Sequence, residues 1–164
     1  MNVKSRFCSL LLILVGLCCS FAADGKHKNS VPNYEISGAG TGSQGSYLVS
    51  VTVISKKNNP NDDVFKRAAV HGVLFRGFSN TEHRQMQKPL AGNASNEAQH
   101  ADFYQEFFSE TGNAGNYASI VDSSRKVVKS GKDYRVTVTV SVSKEELRSY
   151  LESLGILRGL NTIF

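Results

Sequence analysis

The side chains with the clearest capacity for chemistry are four histidines: His27, His71, His83 and His100. Imidazoles bind zinc and exchange protons near neutral pH. None of the four forms the i, i+4 pair with which a helix holds zinc, so the sequence predicts no metal ligand. It also predicts no catalytic residue. The alternative is a small hydrolase or metal-dependent enzyme in which His71, His83 or His100 converge in one pocket.

A glycine-rich segment, residues 38–45, formally matches a dinucleotide-binding fingerprint at Gly40, Gly42 and Gly45. That fingerprint works between a strand and a helix, because the helix N-terminus holds the pyrophosphate. Here the next predicted element is a strand, and the segment lacks the lysine of a phosphate loop. It therefore predicts a hairpin connection, and no cofactor-binding residue is assigned.

Residues 79–95 have no hydrophobic periodicity and predict a long loop. Loops of this length are often functional, so we predict partner binding by His83, Arg84 and Lys88. Disorder is the competing interpretation, because the segment is polar.

The carboxyl-terminal residues supply the other predicted partner-binding group. We expect Ile156 and Leu157 to be buried against the sheet. An exposed apolar cluster usually marks a contact site, so we expect a docking role for Leu160, Ile163 and Phe164.

Five basic residues surround a predicted turn at Ser130-Gly131. The favoured interpretation is a solvated hairpin whose lysines discourage edge pairing, and the alternative is a patch for an anionic envelope partner. These residues are Arg125, Lys126, Lys129, Lys132 and Arg135.

Strand patterns are clearest at two places. Tyr134 and the valines at positions 136, 138, 140 and 142 alternate with polar residues, which predicts a sheet with one dry face. Residues 47–54 carry apolar groups at both parities, which predicts a strand covered on most of its surface. Shorter strands are predicted near residues 34–36, 117–121 and 125–128.

Three helices are predicted between and after these strands. The first begins with Asn59 as cap and Pro60 at the first helical position, and ends near Gly77. The second begins at Asn96. The third follows a capping box that starts at Ser143, and Gly155 ends it.

The resulting order, β-β-α-α-β-β-β-α, predicts an α+β fold in which helices pack on one face of a mainly antiparallel sheet. We predict three parts: a signal peptide over residues 1–22, a flexible tether over 23–32 and a single α+β domain over 33–164.

The signal peptide is indicated by Lys4 and Arg6, an apolar stretch over residues 7–19, and small residues at Ser20 and Ala22. All three cysteines lie inside it. Lipid anchoring at Cys18 or Cys19 is disfavoured, because no small residue precedes Cys18. We predict no transmembrane segment after cleavage.

The formal net charge of +5, two units of which come from Lys4 and Arg6, is small for a nucleic-acid-binding protein. No nucleic acid partner is therefore predicted.

Two stretches carry a resemblance to known proteins. Residues 67–78, R-A-A-V-H-G-V-L-F-R-G-F, and residues 136–164 resemble a group of small exported proteins of uncharacterised function from Gram-negative bacteria. More distantly, K-E-E-L-R-S-Y-L-E-S-L-G-I is similar to envelope lipoproteins and to the amino-terminal domain of flagellar assembly protein T. The resemblance implies an α+β domain of the envelope used for assembly or binding, and it implies no catalytic residue.

These observations predict an exported, non-enzymatic binding or assembly component of the bacterial cell envelope. Its location is periplasmic or at the cell surface, and its partner is a protein or another envelope component.

Export leads to a direct prediction about the amino terminus. Protein purified from its native compartment should begin at Ala23, because the leader is cleaved after Ala22. Intact-mass measurement and amino-terminal sequencing check this, and a lipid on Cys18 or Cys19 would support the anchored alternative. An intact Met1 on the exported protein would contradict both.

Overall fold

The computed structural model describes residues 31–80, 86–92 and 95–159. The strands are β1 (Tyr34–Gly38), β2 (Tyr47–Ser55), β3 (Phe78–Ser79), β4 (Met86–Gln87), β5 (Ala118–Ile120), β6 (Lys126–Ser130) and β7 (Asp133–Val142). The helices are α1 (Asp62–His71), α2 (Ser95–Gln99), α3 (Ala101–Phe107) and α4 (Lys144–Ser153). The predicted α+β class and mainly antiparallel sheet are confirmed.

The main sheet has the strand order β1-β2-β7, with β5 and β6 sharing the far edge of β7. Every pairing in it is antiparallel. The central pairing of β2 with β7 opposes buried valines at three successive positions on one face. These pairs are Val49–Val140, Val51–Val138 and Val53–Val136.

The opposite face of the sheet is open. Thr52 and Thr137 face each other there and their hydroxyls are hydrogen-bonded at 2.8 Å, while Ile54 is 62% exposed. β2 is covered on most of its surface, as predicted, because Ile54 is the one residue of the strand that is exposed. The helices pack on the valine side, so Ile54 on the other face stays in solvent, whereas Leu48 on that face is half-buried.

Helix α1 covers the valine face by packing against β2, β5 and β7. Its N-cap is Asn61, whose side chain accepts a hydrogen bond from the Asp63 backbone N–H, so the predicted cap at Asn59 was wrong. A cap must lie within two or three residues of the N–H groups it satisfies, and Asn59 is too far from Asp63.

Helix α1 continues into a π-helical turn, Gly72–Arg76, which ends at the predicted Gly77. Gly77 has φ +67°, and a Cβ there would lie 2.2 Å from the Gln87 carbonyl oxygen. Glycine is therefore required both for the left-handed conformation and for the close approach of β4.

Residues 79–95 and the second helix differ from expectation. Strands β3 and β4 form a two-stranded ladder, so the predicted loop is partly regular structure. The second helix is divided into α2 and α3 at His100, whose φ and ψ of −119° and 34° are not helical.

Helix α4 forms as predicted, but the Ser143 side chain makes no capping hydrogen bond. The Gly45 carbonyl accepts from the Glu145 backbone N–H instead, which satisfies one donor of the first turn. Gly155, with φ +71°, ends the helix as predicted. Beyond it Leu157 is buried in the core, as expected, whereas Ile156 is only half-buried against the core.

The one-sided sheet predicts unequal costs for adjacent substitutions in β7. Val138 is fully buried opposite Val51, so Val138→Ala should lower the free energy of unfolding by about 1–3 kcal/mol through lost burial and a residual cavity. Thr137→Ala is the matched control on the open face and should cost at least about 1 kcal/mol less. Equilibrium denaturation measures both, and equal losses would contradict a one-sided sheet.

Candidate functional site

A hydrogen-bonded chain of three side chains joins β1, α1 and α2. The Tyr34 hydroxyl lies 2.6 Å from His71 Nδ1, and His71 Nε2 lies 3.2 Å from Glu97 Oε1. A carboxylate oxygen accepts hydrogen bonds, so Nε2 is the imidazole nitrogen that donates here. The Tyr34 hydroxyl then donates to the unprotonated Nδ1. We call these three residues the His71 chain.

Aromatic side chains enclose the His71 ring. Phe75 and Phe108 meet it edge-on at centroid distances of 5.1 and 5.3 Å. Arg76 holds the neighbouring tyrosine: its guanidinium lies 4.3 Å from the centre of the Tyr34 ring and donates to the Tyr34 carbonyl oxygen at 3.0 Å. The imidazole is therefore fixed by hydrogen bonds at both ring nitrogens and by edge-on contacts with neighbouring aromatic rings.

Burial determines the protonation states of His71 and Tyr34 in the His71 chain. It lowers the pKa of His71, against the opposing effect of the Glu97 carboxylate, and it raises the pKa of Tyr34 above its ordinary value. At neutral pH the phenol is protonated and the imidazole neutral. This is consistent with the direction assigned to each hydrogen bond.

The order phenol, imidazole, carboxylate resembles that of a nucleophile, base and orienting acid. Tyr34, however, is only 7% exposed. Because its pKa is raised, the phenol stays protonated at neutral pH and is not activated as a nucleophile. A substrate in solvent has little access to that oxygen. The geometry therefore favours a structural role in which the His71 chain ties α2 to α1 and β1.

A second polar network holds α2 and α3 to the carboxyl-terminal segment. The Tyr104 hydroxyl donates to Asn96 Oδ1 at 2.9 Å, and Asn96 Nδ2 donates to the Ile156 carbonyl oxygen at 2.9 Å. Burial raises the pKa of Tyr104 to about 12, so this hydroxyl stays protonated and donates throughout the physiological range.

Arg67 is a buried cation in α1 that the sequence analysis did not single out. Its side chain makes a 3.5 Å hydrogen bond to the Ser109 carbonyl oxygen, and its Nε has no partner among the described residues. An arginine that follows Lys66 in the middle of an amphipathic helix gives no sign that its charged end is enclosed, because long side chains usually reach solvent.

The most exposed regular element is β6, all five residues of which lie in solvent. Val127 and Val128 are 45% and 61% exposed. Lys126 and Lys129 flank them, and neither pairs with an acidic side chain in the part of the chain that the structure describes. We call Lys126–Ser130 the β6 edge.

Two exposed apolar side chains, Val128 of β6 and Ile54 of β2, lie on the open face of the sheet next to the β6 edge. Arg135 of β7 lies between Val128 of β6 and Ile54 of β2 in the strand register, and it forms an ion pair with Glu35. The positive end of Arg135 is thus neutralised within the fold, whereas the lysines of β6 are not.

The predicted basic cluster is brought together only in part. Arg125 leaves the hairpin: it forms an ion pair with Asp62, donates to the Pro60 carbonyl oxygen at 3.2 Å and stacks over Phe65. The valines of the β6 edge were not identified from sequence. A signal existed, because two adjacent valines in a strand point to opposite faces, and one of them must leave a one-sided core.

Most of the predicted partner-binding residues lie outside the residues that the structure describes. Lys88 is exposed directly after β4 and has no ion pair with a described residue. The remaining predicted residues lie outside the described ranges: His83, Arg84, Leu160, Ile163 and Phe164.

The described ranges also bear on metal and membrane chemistry. Within them, no three His, Cys, Asp or Glu side chains are arranged to hold a metal ion. His71 and His100 are both described, and His83 is not. No helix in these ranges has the length and hydropathy needed to cross a membrane.

The buried imidazole predicts a pH dependence of stability. Because the folded-state pKa of His71 is lowered, the unfolded chain takes up its proton first as the pH falls below about 6.5. The stability contributed by neutral His71 is therefore present above that pH and is lost as the pH falls toward the folded-state pKa.

Denaturation of the wild type and of His71→Gln between about pH 7.5 and 5.5 isolates this effect, because the other histidines are common to both. The stability advantage of the wild type should shrink on acidification. If the advantage grew instead, the ion pair between imidazolium and Glu97 would outweigh burial.

Comparison with known proteins identifies no relative. No family model, no curated protein and no solved structure matches the chain. The resemblance noted from the sequence therefore stays a prediction, and the function of the chain has to be inferred from its exposed surfaces and its buried contacts.

Proposed function

We propose that this chain is an exported binding or assembly component of the bacterial cell envelope, which acts by contacting another protein. The observation that carries the proposal is the β6 edge, where a complete strand with two exposed valines lies in solvent. Contiguous exposed apolar residues usually mark contact sites, and the lysines that flank them disfavour pairing with another cationic strand but not with an acidic partner.

Export is supported by the sequence alone. Residues 1–22 have the charged, apolar and small-residue parts of a signal peptide. The resemblance to small exported proteins of Gram-negative bacteria is consistent with the same compartment.

The rigidity of the surrounding structure also supports a binding role. β7 holds β6 along its full length, and β7 itself is the most deeply buried strand. Because the strand is fixed before any partner arrives, little conformational entropy has to be lost on association.

Photo-crosslinking in the native cell tests the proposal. A photoreactive phenylalanine replaces Val128 on the β6 edge in one variant and Gln105 in another. Gln105 is the control because it is exposed on α3, in a different element. We expect a discrete crosslinked product with an envelope protein from position 128 and none from position 105. The same products from both positions, or none from position 128, would contradict the proposal.

A further inference from the structure

The two edges of the main sheet differ in whether their backbone groups are occupied. On the β1 edge, the Tyr34 carbonyl oxygen accepts from Arg76, and Gly38 forms a β-bridge with Asn80. On the other edge β6 pairs with β7, and its remaining side faces solvent. β6 is thus the edge at which another strand can be added.

The turn that joins β6 to β7 determines which backbone groups point outward. Gly131 and Lys132 form a two-residue connection, and Ser130 faces Asp133 across it. Gly131 has φ +63°, as the first central residue of a type II′ turn requires. In such a turn the Ser130 carbonyl accepts from the Asp133 N–H.

Hydrogen-bonded and non-hydrogen-bonded pairs then alternate along the ladder. Lys126, Val128 and Ser130 direct their N–H and C=O groups to β7. Val127 and Lys129 direct theirs to solvent. The open side of β6 therefore presents two backbone N–H groups and two carbonyl groups, spaced as an incoming strand needs them.

The side chains of the β6 edge define the sequence that would match it. Lys126 and Val128 lie on the open face of the sheet, opposite Thr137 and Arg135, and Val127 and Lys129 lie on the helix face. Each face thus offers one cationic and one apolar position. Residues that face each other on neighbouring strands stabilise the sheet when they carry opposite charges or are both apolar. The complementary four-residue pattern on an incoming strand is therefore acidic, apolar, apolar, acidic.

We propose that the β6 edge binds an extended acidic segment of a partner protein as an additional strand, with this pattern opposite Lys126–Lys129. This inference rests on the proposed binding function and specifies its mode and the chemistry of its partner. Main-chain hydrogen bonds would supply affinity, and the lysines and valines would supply specificity.

Charge argues against a second copy of this chain as the occupant. β6 contains two lysines and no acid, and Lys132 follows in the turn. Pairing β6 with β6 would bring only positive charges to the seam, which is how edge strands are protected from self-association.

Charge also argues against the parts of this chain that lie outside the described residues. Residues 1–30 contain a single acid, Asp24, residues 81–85 contain only Glu82, and the other such segments contain none. None of them offers two acids that flank an apolar pair. An acidic partner remains the complementary occupant.

Peptide binding to the exported form of the protein, residues 23–164, tests the inference. Fluorescence anisotropy compares peptides with the core Glu-Val-Val-Glu, the core Lys-Val-Val-Lys, and Glu-Val-Val-Glu N-methylated on the amides that would face β6. We expect the acidic peptide to bind about tenfold more tightly than the basic one, given two reversed charge pairs. N-methylation should abolish binding, because it removes the main-chain donors.

Protein variants separate the backbone from the charges. Val127→Pro removes an outward N–H while leaving the ladder with β7 intact, and should lower affinity about tenfold or more. Val127→Thr keeps the N–H and is the matched control. Lys126→Glu combined with Lys129→Glu should reverse the preference and favour the basic peptide. Circular dichroism checks that each variant is folded, and the N-methylated peptide provides the same test without altering the protein.

Equal binding of acidic and basic peptides, unchanged binding after N-methylation, or dimerisation through β6 in sedimentation would overturn the inference. If Val128 crosslinks to an envelope partner but the acidic peptide does not bind, strand addition is wrong while the binding function stands. If neither occurs, both proposals fail.

Discussion

The pairing of β2 with β7 sets the position of nearly every other element. It opposes Val49, Val51 and Val53 to three valines of β7 in one register, and all six side chains are buried. A slip of one residue would place hydroxyl-bearing residues in the core and valines in solvent, so the register is strongly specified. β1 extends this pair on one side, and β5 and β6 extend it on the other.

The valine layer in turn determines where α1 lies and therefore where the His71 chain forms. Gly72, the first residue of the π-helical turn that continues α1, lets this segment approach β1 closely: a Cβ on Gly72 would lie 2.5 Å from Ile36 Cδ1. This approach places His71 within hydrogen-bonding distance of Tyr34 on β1. The short helix α2 then supplies Glu97 on the other side of the ring.

Strong periodicity made part of this fold predictable. β7 was predicted almost to its boundaries because four buried valines alternate with polar residues, and α4 because its apolar stripe ends at a glycine. The apolar pattern of β2 does not reveal that Ile54 is exposed, because sequence shows which residues are apolar and not whether a helix is available to cover them. The break at His100 and the β3–β4 ladder depend on tertiary contacts that leave no local pattern.

The candidate site was predictable to a smaller extent. The basic residues around the turn were evident, but the separation of Arg125 from the lysines depends on a contact with α1 that spans 63 positions in sequence. The Tyr34–His71–Glu97 connection is equally non-local. His71 falls within the first predicted helix, but no local pattern indicates its partners Tyr34 and Glu97.

The exposure of β6 follows from the way the chain leaves β5. Between them, residues 121–125 bulge from the edge of β7, with Ser123 at φ +58°, and the Val121 N–H still donates to the Thr139 carbonyl oxygen. Arg125 then fixes the end of the bulge to the start of α1. Because α1 packs on β2, β5 and β7, β6 continues beyond the helical layer, and Val127 is exposed even though it points to the helix side. Both faces and the outer side of β6 are open for this reason. An added strand could therefore place alternate side chains on each face without displacing any part of the core.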